Sequence, residues 1–63
     1  MRVTAVRVRR YPSDPGSIWV DVEYAEGPAT EPVTVIVEAD GRRSEHSLPP
    51  ILFRAERGVT TLH

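Results

Sequence analysis

The stretch from Ser17 to Tyr24, SIWVDVEY, alternates between two kinds of side chain and constrains the fold more than any other part of the chain. A period of two is typical of a β-strand with one buried face. The apolar face consists of Ile18, Val20, Val22 and Tyr24. Trp19, the only tryptophan, lies on the other face beside Asp21 and Glu23. The pattern therefore predicts a central strand whose polar face carries one large aromatic side chain.

The length of 63 residues predicts a single small β-domain, 1–63, near the lower limit for folding without disulfides or metals. The absence of cysteine excludes disulfides, thiolate metal sites and a cysteine nucleophile. No apolar run is long enough to span a membrane or to form a signal peptide, so we expect a cytoplasmic protein that contacts no membrane. Because so small a domain leaves much apolar surface in water, we also expect a homodimer.

The charges of the chain nearly cancel. Nine acidic and eight basic residues give a net charge of -1, so no overall field attracts the protein to nucleic acid or to an anionic membrane. All the basic residues are arginine, and lysine, asparagine and glutamine are absent. The absence of asparagine and glutamine agrees with a thermophilic source, whereas thermophilic proteins are usually enriched in lysine, so GC-rich coding explains the composition equally well.

The segment before the central strand, Arg2 to Tyr11, is rich in valine and predicts a first strand. Its alternation shifts between Ala5 and Val6, which indicates either a β-bulge or a strand buried on both faces. The following sequence Asp14-Pro15-Gly16-Ser17 fits a type II turn, because proline suits its second position and glycine its third. We therefore expect a hairpin that reverses at Asp14 to Ser17.

A second hairpin is predicted around Asp40-Gly41, a pair typical of a two-residue type I′ turn between strands. The strand before it is Val33 to Ala39 and the strand after it is RRSEHSL, whose polar side chains suit a sheet edge. Counting back from the turn pairs Ala39 with Arg42, Glu38 with Arg43, Val37 with Ser44, Ile36 with Glu45, Val35 with His46, Thr34 with Ser47 and Val33 with Leu48. The face with the valines and Leu48 is the expected core side.

The C-terminal part follows Pro49-Pro50, which ends the preceding strand. We expect Ile51 to Arg54 to be extended, a turn at Glu56 to Gly58, and a last strand from Val59 to Leu62. The fold class is therefore all-β: a small antiparallel sandwich or partly open barrel of five to six short strands.

The segments WVDVEYAEGPATEPVTVIVEADG and SLPP, within Trp19 to Pro50, resemble the CARDB-type immunoglobulin-like β-sandwich modules. The resemblance covers about half of the chain. It implies a binding or spacer role without catalysis.

Catalytic and metal-binding patterns are weak. Ser44 and His46 share a strand face, but residues two apart on a strand are separated by roughly 7 Å, which predicts that they lie too far apart for a nucleophile and its base. His46 and His63 have no accompanying ligand pattern. We therefore expect a protein that is not an enzyme and has neither a cofactor nor a metal site.

The main functional hypothesis is a non-enzymatic protein-interaction or assembly module that acts through a sheet edge or through the Trp19 face. The partner is another protein or a second copy of the chain. The expected partner-binding residues are Trp19, Asp21, Glu23 and Tyr11. The alternative for Trp19 is that the C-terminal segment Ile51 to Leu62 covers it as the second layer of a sandwich.

The alternative function is a small β-barrel that binds nucleic acid through arginines and a tyrosine. Arg7, Arg9 and Tyr11 are expected on one face of the first strand, with Arg2 and Arg10 on the other. A more ordinary interpretation pairs Arg7 and Arg9 with acidic residues of the central strand, Asp21 and Glu23. The net negative charge favours this pairing over nucleic-acid binding.

Overall fold

A computed structural model describes residues 1–63 and has a long central strand flanked by two others. The elements are strand β1 (Arg2–Tyr11), β2 (Asp14–Ala25), β3 (Val33–Ala39), β4 (Arg42–Leu48), a 3-10 helix (Pro50–Phe53) and β5 (Gly58–Leu62). Strands β1, β2 and β5 form an antiparallel sheet in the order β1-β2-β5, called sheet A, and β3 pairs with β4 in sheet B. The predicted all-β class is confirmed, with five strands in two sheets and no closed barrel.

The core lies between the two sheets and is centred on β2, whose predicted apolar face is confirmed. Val20, Val22 and Tyr24 point from β2 toward sheet B and are no more than 4% exposed. Leu48 of β4 and Phe53 of the 3-10 helix complete the cluster, and the Tyr24 and Phe53 rings meet edge to face at 5.2 Å. We call the side of each sheet that faces this core its inner face, and the opposite side its outer face.

The β3–β4 hairpin has the predicted register along its whole length, from Ala39 opposite Arg42 to Val33 opposite Leu48. Asp40 and Gly41 have φ angles of +53° and +74°, as a type I′ turn requires. Glu38 lies opposite Arg43 as the register predicts, but the two side chains form no ion pair. Arg43 instead donates a hydrogen bond to Glu45, two residues further along its own strand, at 3.3 Å.

Strand β1 contains a bulge as predicted, but it lies before Ala5 rather than between Ala5 and Val6. The register with β2 shifts between Val3 and Ala5, so that Thr4 is the extra residue. The shift brings Val3 onto the same inner face as Val6 and Val8, since these three lie opposite the core residues of β2. A second irregularity follows Arg9. The bulge interpretation is therefore confirmed, and the strand is exposed rather than buried on both faces.

The first turn was predicted in the wrong place. Tyr11 pairs with Asp14, so the chain reverses at Pro12 and Ser13, and β2 already begins at Asp14. Gly41 is the only glycine with a positive φ, which rules out the type II turn proposed for Gly16. Pro12 supplies the restricted φ of a turn two residues earlier, and the extended φ of Pro15 fits the start of a strand.

The segment expected to be extended at Ile51 to Arg54 is also different, because Pro50 to Phe53 form the 3-10 helix. Proline is favourable at the first helical position, where its missing N–H leaves no bond unmade. The turn carries Phe53 into the core. Its last residue also accepts a hydrogen bond from the β2–β3 loop, since Ala29 N donates to Phe53 O at 2.9 Å. Beyond the helix, Glu56 O accepts a hydrogen bond from Gly27 N at 2.8 Å.

Candidate interaction surfaces

An aromatic cluster lies on the outer face of sheet A. The His63 ring stacks on Trp19 with centroids 4.0 Å apart, and Tyr11 meets Trp19 edge to face at 6.5 Å. Trp19 is therefore half-buried by neighbours in its own sheet. The expectation that residues Ile51 to Leu62 cover Trp19 as a second layer is wrong. Strand β5 instead pairs beside β2, and the 3-10 helix packs on the inner face.

Asp21 lies at the centre of a polar network on the same outer face. Arg9 Nη2 donates to Asp21 Oδ1 at 2.8 Å, Arg9 Nε lies 2.8 Å from Oδ2, and Thr61 Oγ1 donates to Oδ1 at 2.7 Å. The hydrogen bond from Thr61 and the pairing with Arg9 lower the pKa of Asp21 below its usual value. Only 18% of the Asp21 side chain is exposed, so its oxygens are largely engaged within the sheet.

Glu23 and Tyr11 are the other expected partner-binding residues, and they differ in their surroundings. Glu23 is exposed between Ala5 and Val59, its neighbours on the flanking strands, and it forms no ion pair. Tyr11 accepts a hydrogen bond from Arg9 Nη1 at 2.7 Å. The structure therefore brings Tyr11 and Asp21 into one network with Trp19 nearby, and leaves Glu23 apart.

The arginines of β1 do not form one basic surface. Arg2 lies 3.6 Å from Glu26, and Arg10 donates across to Asp40 in sheet B at 3.1 Å. The expectation that Arg2 shares a face with Arg10 is wrong. The bulge at Thr4 inserts one extra residue, so Arg2 lies on the same face of the sheet as Arg7 and Arg9. The predicted pairing with β2 is confirmed for Arg9, and Arg7 alone among the four has no ion pair.

Strand β1 is a free edge of sheet A and carries two strongly exposed aliphatic side chains. Strand β1 pairs only with β2, so its second edge has no partner strand. On the inner face of β1, Val6 and Val8 are 60% and 59% exposed, because sheet B covers β2 but does not extend over β1. The sequence predicts that the fold has an unpaired strand edge but does not say which strand forms it. The signal that would have located it is a valine-rich strand without a single acidic residue.

Ser44 and His46 are closer than the strand spacing predicted. His46 Nε2 lies 3.1 Å from Ser44 Oγ, because the imidazole leans along the strand and shortens the gap between the side chains. Both residues are exposed and line an apolar cleft of about 250 Å³ between the sheets, together with Leu48, Leu62 and His63. No hydrogen bond fixes the other ring nitrogen of His46, so the pair lacks the third group that orients a catalytic base.

The structure contains no group of three or more His, Cys, Asp or Glu side chains that could hold a metal ion. Nor does it contain a helix of the length and apolar character needed to cross a membrane. The chain matches no protein-family model, and no curated protein or solved structure shows significant similarity to it.

Proposed function

We propose that this chain is a non-enzymatic protein-interaction module that binds an extended segment of a partner protein along the free edge of β1. The observation that carries the proposal is the ten-residue edge strand with two valines about 60% exposed on one face. Unpaired N–H and C=O groups along such an edge bind an added strand through main-chain hydrogen bonds. Burial of the two valines would add a hydrophobic contribution to the same contact.

The other exposed strand edges offer less. Strand β5 has five residues, half the length of β1. Strand β3 has a single strongly exposed aliphatic side chain, Ile36, and its valines already pack against the core. Strand β4 is polar or charged from Arg42 to Ser47, which is typical of an edge that avoids pairing. These comparisons favour β1 as the binding edge.

The Trp19 face supports the proposal less strongly than the edge. Trp19 already contacts His63 and Tyr11, and Asp21 is engaged by Arg9 and Thr61. A partner on that face would gain little from side chains that are already satisfied. We therefore propose that the partner binds along β1 rather than on the Trp19 face. The resemblance to CARDB-type modules implies the same general class of role, binding without catalysis.

The proposal is tested with an inward-pointing charge on the edge. Val8→Lys places an ammonium group where an added strand would pack, which opposes strand addition. Val59→Lys is the matched control, because Val59 is 60% exposed on the edge strand at the opposite side of sheet A. Both variants and the wild type are immobilised, bound proteins are identified by mass spectrometry, and self-association is measured by sedimentation equilibrium.

We expect to identify a protein that binds equally to the wild type and to Val59→Lys but does not bind to Val8→Lys. A partner that binds all three equally would contradict the edge proposal. So would a monomer that captures nothing with any of the three.

Nucleic-acid binding is the second function considered, and the charge distribution disfavours it. Arg2, Arg9 and Arg10 are each paired with a carboxylate, and they are divided between the two faces of sheet A. We expect no binding of a labelled single-stranded oligonucleotide at low salt. Binding that weakens steeply as salt is raised, and that is lost in Arg7→Ala, would instead favour this function.

A further inference from the structure

We infer that the segment bound by β1 alternates aliphatic with acidic side chains; this inference rests on the proposed function and names the chemistry of its partner. The relevant part of β1 is short. The pairing with β2 is regular from Ala5 to Arg9 and is interrupted on either side of this span. Since bulges disrupt a ladder, an added strand pairs best with these residues.

The inner face of this span selects aliphatic side chains. Val6 and Val8 lie two residues apart, so both point to the same side of the sheet. Residues directly opposite them in an added strand would contact them and remove their exposed surface from water. Alternate positions of the partner are therefore aliphatic.

The outer face of the same span selects acidic side chains. Strand β1 contains four arginines and no acidic residue. Arg7 lies opposite Asp21, whose oxygens are already engaged by Arg9 and Thr61, and Arg7 has no ion pair of its own. A carboxylate on the next strand would lie opposite Arg7 and form a favourable cross-strand pair. The remaining positions of the partner are therefore acidic.

A second copy of β1 fits this surface poorly. Antiparallel pairing of two β1 strands with Val6 opposite Val8 places Arg7 opposite Arg7 of the other copy. Shifting the pairing by two residues toward the turn instead places Arg7 opposite Arg9. Shifting it by two residues the other way places Val8 opposite Thr4, the bulged residue at which regular pairing is interrupted. Like charges directly opposite one another destabilise a sheet. An acidic strand avoids this repulsion, which is why the inference names such a segment rather than self-pairing.

The test uses three short fluorescent peptides that alternate valine with glutamate, with serine or with lysine. Binding is measured by fluorescence polarisation with the wild type, Arg7→Glu, Val6→Lys and the control Val59→Lys. We expect the valine–glutamate peptide to bind the wild type about tenfold more tightly than the valine–lysine peptide. Arg7→Glu should reverse this order, Val6→Lys should abolish binding of every peptide, and Val59→Lys should behave as the wild type.

The results separate this inference from the proposed function. Equal binding of the three peptides, lost in Val6→Lys, would overturn the acidic preference and leave strand addition at β1 intact. A dimer in sedimentation equilibrium that is lost in Val8→Lys would show that a second copy is the occupant, and would also overturn the acidic preference. No binding of any peptide, with partner capture that does not depend on Val8, would overturn both. Changes in amide chemical shift confined to β1 on addition of the valine–glutamate peptide would support both.

Discussion

Replacing Gly27 by alanine tests how the β2–β3 loop is held to the C-terminal part of the chain. A Cβ atom on Gly27 would overlap the carbonyl oxygen of Ala55, a backbone atom that has to move with its whole segment. The displacement breaks the hydrogen bonds from Gly27 to Glu56 and from Ala29 to Phe53. At roughly 0.5 to 1.5 kcal/mol net for each bond, the free energy of unfolding falls by about 1 to 3 kcal/mol. A chain of this length has a total of roughly 3 to 9 kcal/mol, so the loss is a large fraction.

The assay is urea unfolding followed by the fluorescence of Trp19, which is unique in the chain and stacked on His63. With a urea dependence of about 1 kcal/mol per molar, the midpoint should fall by about 1 M or more. Gly16→Ala is the control, because no atom lies within 4 Å of its added Cβ and its φ is not positive. It should leave the midpoint unchanged or raise it slightly. Equal midpoints for the two variants would refute the proposed contact between the loop and the C-terminal segment.

Three further substitutions are expected to change stability in defined ways. Phe53→Ala removes the one side chain that is 0% exposed, at a cost of about 3 to 5 kcal/mol, so its urea midpoint should fall several times further than that of Phe53→Leu, or the chain should be unfolded without urea. In urea titrations, Asp21→Asn should lower the free energy of unfolding most near neutral pH and progressively less below about pH 4. The reason is that a carboxylate with a depressed pKa stabilises the fold at pH values above its unfolded pKa. This contribution is lost as the carboxylate becomes protonated. Glu26→Gly should raise the urea midpoint by an amount equivalent to about 0.5 to 1 kcal/mol, because Glu26 has a φ of +57° that glycine adopts without strain; a lower midpoint would contradict this.

The parts of the fold that were predicted correctly depend on local rules. Asp40-Gly41 determines a two-residue turn, and every pair of the β3–β4 hairpin follows by counting from it. The apolar face of β2 follows from its alternation alone. The bulge in β1 was detectable because its valines change parity within one segment. Each of these inferences needs only residues that are neighbours in sequence or across one turn.

The errors arose where two local signals compete or where distant parts of the chain meet. Pro12 and Pro15-Gly16 both favour a turn, and the pairing of the two long strands decides between them. The 3-10 helix is stabilised by the burial of Phe53 in a core that is built by β2 and β4, which are distant in sequence. The exposure of Val6 and Val8 depends on how far sheet B extends over sheet A, which no periodicity in β1 records. The candidate binding edge was for this reason the part of the site least accessible to sequence reasoning.

The separation of β1 from the core has a consequence for any test of the proposed strand addition. None of the six buried residues lies in β1, and β2 is the only strand that pairs with it. Its opening therefore exposes one side of β2 while the cluster around Phe53 stays assembled, as expected for a segment of low local stability. The first strand is thus itself replaceable, and an identical strand from another molecule could occupy its place beside β2. Protein concentration and incubation time then become variables in any binding experiment, because strand exchange and strand addition compete along the same side of the sheet.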